Sequence, residues 1–194
     1  MKTYFTSDTH FHHNNIIEFC NRPFKDVQEM NDKMVDNWNS IVKPDDLVYH
    51  LGDYCFGNED KIREINNRLN GNIVLISGNH DEKILRDTSH KNTRYVDPDI
   101  SRRFQKIVPY LETKVGGTTI TMCHFALQVW NRSHHGRISL FGHSHGTLPE
   151  NSQQLDVGVD CWDYKPITLE QIKERLKTLP KFKSGDYHNE KTSV

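Results

Sequence analysis

At 194 residues the chain is long enough for one domain with a substantial core. Its 25 lysines and arginines against 26 acids leave a net charge of -1, which argues against a broad sequence-independent grip on nucleic acid or an anionic membrane. No apolar run approaches the roughly 20 residues of a membrane span, and MKTYFTSDTH holds no signal-like apolar stretch, so a cytoplasmic protein is expected.

The first predicted element is a strand over residues 3–6, running into SDTHFHHNN with Asp8 and His10 at its exit. Asp26 with Glu29 resembles a capping box, and Val27, Met30, Met34, Trp38 and Ile41 mark the buried face of the helix that follows. A second strand over 47–51 ends at Gly52 and Asp53. Asn58 caps a helix over 59–69, with Ile62, Ile65 and Leu69 inward and Gly71 as its stop. A third strand over 73–76 runs into Gly78, Asn79, His80 and Asp81.

Residues 86–105 are polar and weakly patterned, and read as a loop-rich excursion forming a wall of the site. The Gly116-Gly117 pair between two alternating segments predicts a hairpin turn. The next strand, 119–123, ends at His124; the one over 138–141 ends in Gly142, His143, Ser144 and His145. Thr168 with Gln171 caps a last helix that carries Leu169, Ile172 and Leu176 inward and stops at Pro180. A single domain over 1–180 is expected, with 181–194 a flexible tail.

Five strands that each end in Asp, His or Asn place their exits on one edge if a single sheet carries them, and ligands of open α/β sheets lie beyond such an edge. The four cysteines, Cys20, Cys55, Cys123 and Cys161, form no C-x-x-C pair and read as free thiols in or near the core. The donors are therefore oxygen and imidazole. That set suits divalent manganese, iron, nickel or zinc, with two ions able to share a carboxylate. Asp8, His10, Asp53, Asn79, His124, His143 and His145 are seven candidates, about the number two ions need when water or substrate completes each shell.

The ordered set DTH, GD, GNHD, a lone strand-end His and GHSH resembles the calcineurin-like metallophosphoesterases, over about residues 3–176. DTHFHHNNII is similar to the start of small bacterial and phage members. The resemblance implies an α/β (α+β) fold: a four-layer β-sandwich of mixed sheets flanked by α-helices. It implies one ion on Asp8, His10, Asp53 and His145, and a second on Asp53, Asn79, His124 and His143. His80 then faces substrate as the catalytic acid and Asp81 orients it.

The function so implied is hydrolysis of a phosphodiester, a cyclic nucleotide or a nucleic-acid end, by in-line attack of a metal-bridging hydroxide. Manganese is the expected ion, with iron, nickel or zinc as alternatives. Hydrolysis of a phosphomonoester on a small metabolite or nucleotide is the alternative, and a noncatalytic metal-binding scaffold the rival of another class. GDYCFGNED stands where the family's serine/threonine protein phosphatases carry GDYVDRG, so their phosphate-binding arginine is missing. The expected partner is a small phosphoester; no basic stripe with aromatics marks a nucleic-acid surface.

Several residues keep two readings. His124 in CHF is a ligand or a core histidine. His13 and Asn15 contact substrate phosphate, or are a surface histidine and a helix cap. Trp162 and Tyr164 line the crevice mouth or pack in the core, while His12, His134 and His135 are expected to face solvent.

Overall fold

The computed structural model describes residues 1–85 and 103–183. Most of the excursion expected over 86–105 and nearly all of the expected tail lie outside the described residues.

Among the described residues, nine strands form two mixed sheets. The first has the order β4-β3-β2-β1-β9, built from β1 (Thr3–Thr6), β2 (Leu47–His50), β3 (Asn72–Ile76), β4 (Phe104–Val108) and β9 (Ile167–Thr168). Strands β1 to β4 run parallel, with Tyr4 opposite Val48 and Val48 opposite Ile73, and β9 is antiparallel to β1. The second sheet has the order β5-β6-β7-β8, from β5 (Tyr110–Val115), β6 (Thr118–Cys123), β7 (Ile138–Phe141) and β8 (Gln154–Asp156). Here β5 and β6 form the predicted hairpin, its Gly116 and Gly117 both at positive φ as such a turn requires, and β6, β7 and β8 run parallel.

The two-residue alternation of each strand distributes its side chains between two cores. Phe5, Tyr49, Val74 and Ile76 of the first sheet meet Ile120, Met122, Ile138, Leu140 and Leu155 of the second. Tyr4, Val48, Ile73 and Leu75 point the other way, onto α2 (Val27–Ile41) and α3 (Glu59–Arg68), which supply Met30, Met34, Trp38, Ile62 and Ile65. Burial on both faces explains why the parallel strands read as near-continuous apolar runs. Full burial of each such side chain contributes roughly 1.5–3 kcal/mol. The last helix, α5 (Leu169–Lys177), inserts Leu169, Ile172 and Leu176 into the core between the sheets.

The predicted helix starts hold. The Asp26 side chain accepts from Glu29 N–H at 2.8 Å, Asn58 accepts from Lys61 N–H, and Thr168 and Gln171 make a reciprocal capping box. Three expectations need correction. The strand exits come from two sheets rather than one, because an alternating pattern says which residues are buried and not which sheet buries them. Phe104 and Gln105, placed in the loop excursion, belong to β4, where pairing with β3 buries Phe104. Cys161 is exposed rather than near the core; Cys55 is buried and Cys20 and Cys123 are half-buried.

Candidate metal centre

The exits of β1, β2 and β3 in the first sheet and of β6 and β7 in the second meet at one crevice. Backbone bonds continue past the strands: Asp8 N–H donates to Gly52 C=O at 3.0 Å, His10 N–H to Asp53 C=O at 2.9 Å, and Gly142 N–H to His124 C=O at 2.9 Å. The exits of β1, β2 and β7 turn sharply. Asp8, His10, Asp53, His143 and His145 all hold positive φ, between 47° and 66°. Left-handed backbone at five non-glycine positions is unfavourable and persists only where surrounding contacts enforce it. Gly52 sits at φ +97°, and a Cβ there would fall 2.6 Å from both Gly78 N and His124 Nδ1, so this close approach admits only glycine.

Two donor sets result. Ligand-capable atoms of Asp8, His10 and His145 lie within 4.8 Å of one another, as do those of Asp53, His124 and His143. Asp53 stands between them. Its Oδ2 is 3.5 Å from His10 Nε2 and 3.5 Å from His124 Nε2. Asn79 joins the second set, with Oδ1 3.1 Å from His124 Nε2.

Two of the imidazoles are held through Nδ1, which leaves Nε2 for a ligand. His124 Nδ1 lies 2.7 Å from the Leu51 carbonyl and His145 Nδ1 lies 2.7 Å from Asp160 Oδ2, which sets those nitrogens as donors. His10 Nε2 is buried without a hydrogen-bond partner.

Electrostatics point the same way. Burial pushes the Asp8 carboxyl up to about 7, even though His124 and His145 oppose the shift. Burial drives His10 well below the usual imidazole range, so it is neutral. For His124 burial acts downward, but the Asp53 hydrogen bond and the Asp8 and Asp53 charges raise it to about 9. Asp53 is held low: burial raises it, but His124, the His80 N–H and His10 outweigh that. An orphaned imidazole nitrogen beside buried carboxylates that burial alone would protonate is a site short of positive charge. These nitrogen and oxygen donors fit divalent cations.

A buried aspartate braces each of two strand-exit loops. Asp81 was expected to orient the His80 ring, but its carboxylate is taken up by the backbone: Oδ2 accepts from Asp53 N–H at 2.9 Å and Gly78 N–H at 2.8 Å, and Oδ1 from Tyr54 N–H at 2.9 Å. It fixes the loop, not the imidazole. Asp156 does the same at the other exit, accepting from Ser144 Oγ, Gly146 N–H and Gly158 N–H. His80 itself is exposed at the crevice and its N–H donates to Asp53 Oδ1 at 2.9 Å.

His13 reaches the crevice differently from Asn15. Its ring stacks on Phe56 with centroids 3.8 Å apart, and its Nδ1 lies 3.2 Å from His10 Nδ1. Asn15 is exposed and makes no side-chain cap bond to α1 (Ile16–Phe19). Contrary to the expectation of solvent, His12 is half-buried, Nε2 3.0 Å from Glu64 and Nδ1 3.1 Å from Asn31; His134 and His135 are exposed. Trp162 packs against the core between the sheets and Tyr164 against the helical one.

Sequence reading missed Arg22 and Asp160. Arg22, fully buried at its side chain, grips Asp160 through Nε and a terminal nitrogen, both at 2.8 Å, and donates to the carbonyls of Asp8 and Thr9. Positions 138 residues apart carry no local signal of their pairing; the aspartate of VGVD, close behind the GHSH stretch, was the available hint.

Known proteins resemble this chain in sequence and in fold. The family described as calcineurin-like phosphoesterase matches residues 1–164. An uncharacterized protein of Methanocaldococcus jannaschii is 33% identical over 180 residues, covering 88% of this chain and 89% of that protein. The gene 66 protein of Mycobacterium phage L5 is 29% identical over 182 residues, covering 82% of this chain and 87% of its own. Among solved structures, a protein of unknown function from Aquifex aeolicus aligns with a TM-score of 0.63 at 25% identity, covering 89% of this chain and 98% of that one.

Proposed function

Since the chain belongs to the calcineurin-like phosphoesterases, metal-dependent hydrolases of phosphoester bonds, we propose that it holds two divalent ions and hydrolyses a phosphodiester by in-line attack of water. Asp8, His10, Asp53 and His145 would hold one ion, and Asp53, Asn79, His124 and His143 the other. The observation that carries this reading is the position of Asp53 Oδ2, equidistant at 3.5 Å from an imidazole nitrogen of each set. We assign manganese first, with iron, nickel and zinc as alternatives that the same donors accept.

When bound, a pair of such ions offsets phosphoryl charge and lowers the pKa of a water between them. The chain supplies the rest. His80 presents its ring at the crevice, on a backbone locked by its N–H to Asp53, where it protonates the leaving oxygen. Asp81 and Asp156 hold the two exit loops rigid, so the donors are positioned before substrate arrives. The noncatalytic scaffold reading requires no such completeness, yet every donor and the exposed His80 are in place.

Purified protein loaded with manganese should hydrolyse bis-p-nitrophenyl phosphate faster than p-nitrophenyl phosphate, and a chelator should abolish both. Turnover of the monoester alone contradicts the diester assignment. Inactivity with all four metals contradicts the enzyme.

A further inference from the structure

Phe19 is 71% exposed and Phe125 is 47% exposed, so the rings of both are open to a ligand. Each stands against a histidine of the crevice. Phe19 meets His13 edge-on with centroids 6.3 Å apart, and His13 stacks in turn on Phe56, whose ring is 4.8 Å from His80 and 5.6 Å from His10. Phe125 lies 4.8 Å from His143 and 5.0 Å from His124. The rings thus make two platforms, one beside each donor set, with Asp53 between the sets.

We propose that the two platforms each stack one base of a dinucleotide-sized substrate, so that its phosphodiester lies over the crevice with a nucleoside on either side. The proposal rests on the phosphodiesterase reading above and names its substrate class. Aromatic faces accept any base with little sequence preference. A phosphomonoester carries one organic group and would use one platform. A small pocket of about 180 Å³, lined by Phe56, Asn79, His80, Glu82 and Lys83 among others, opens beside the first platform. A net charge of -1 gives no general attraction for a long polyanion, and a dinucleotide needs none. Hydrolysis forms one P–O bond to water and breaks the bond to the leaving nucleoside oxygen, which takes a proton, giving a nucleoside and a nucleoside monophosphate.

The test compares dithymidine monophosphate with methyl p-nitrophenyl phosphate, a diester without bases, on manganese-loaded protein. For Phe19→Ala and for Phe125→Ala, the ratio of kcat/KM for the dinucleotide to that for the methyl ester should fall about tenfold, and Phe125→Trp should retain it. Affinity for the intact dinucleotide, measured by calorimetry in a His80→Ala background, should fall by the same factor. Equal loss on both substrates, or no loss on either, overturns the subsite while leaving the phosphodiesterase intact. Absence of all turnover with dinucleotide binding still dependent on Phe19 and Phe125 overturns the phosphodiesterase reading and keeps the subsite. A dimer that either alanine variant dissociates, with unchanged dinucleotide selectivity, shows that the rings serve a second copy of the chain and overturns the proposal.

Discussion

His145 Nδ1 lies 2.7 Å from Asp160 Oδ2, and the same carboxylate is clamped by the buried guanidinium of Arg22. The aspartate fixes which imidazole nitrogen faces the crevice and how the ring is turned. A carboxylate behind a metal-binding histidine typically accounts for 10–100-fold in metal affinity. Asp160→Asn should therefore weaken manganese binding by about that factor, read by isothermal titration calorimetry. Unchanged affinity would remove Asp160 from the site. Arg22→Met should instead destabilise the fold by about 3–5 kcal/mol, because it removes the buried cation from Asp160 and the donor to the Asp8 and Thr9 carbonyls; urea unfolding measures it.

Gly52 connects β2 to Asp53 through a close backbone approach in the crevice. Gly52→Ala places a Cβ 2.6 Å from Gly78 N and His124 Nδ1 at a φ of +97°. The strain should cost more than about 1–3 kcal/mol of stability and displace His124, lowering metal content. A variant with wild-type unfolding free energy would show that the exit loops are looser than their contacts indicate.

His80 and Asp53 should fail in different ways. His80→Ala leaves every donor in place and should keep its metal while losing about 10²–10⁴ in kcat. Asp53→Ala removes the oxygen between the two sets and should lose metal. Metal analysis beside steady-state kinetics separates the two, and the reverse pattern would invert the roles.

His50 gives the stability a pH dependence that can be isolated. It is fully buried, with Nε2 2.9 Å from Thr9 Oγ1 and Nδ1 unpartnered, and burial lowers its pKa from 6.5 to about 3. Above pH 6.5 the ring is neutral in both folded and unfolded chains and favours neither. As pH falls below 6.5 the unfolded chain takes up a proton that the folded one refuses, so stability drops by about 1.4 kcal/mol per unit until roughly pH 3. Asp8, raised to about 7, works in the opposite sense over part of this range, because the folded chain binds its proton first. Subtracting a His50→Gln variant isolates the histidine: in chelated protein the gap between the two unfolding free energies should change with that slope between pH 6.5 and 5. A constant gap would contradict the assignment.

The convergence of the candidate donors was legible because each follows an apolar strand directly, so that DTH, GD, GNHD, His124 and GHSH mark strand exits. Helix starts were legible through Asp26, Asn58 and Thr168, whose caps are local. What escaped was long-range or short. Strands β8 and β9 have three and two residues, too few for any period to show. The division into two sheets is set by which strands pair, and alternation in Phe5 or Ile120 is the same whichever sheet holds it. Asp81 was assigned to His80 from its place in GNHD, whereas its real partners include Asp53 and Tyr54, 28 and 27 residues away. The pairing of Arg22 with Asp160 escaped for the same reason.

The central claim is that two ions share Asp53. Anomalous diffraction at the manganese edge from crystals grown with the metal tests it most directly. The account predicts two peaks flanking the Asp53 carboxylate, one against Asp8, His10 and His145 and the other against Asn79, His124 and His143. A single peak under saturating manganese, or none within reach of Asp53, would contradict it.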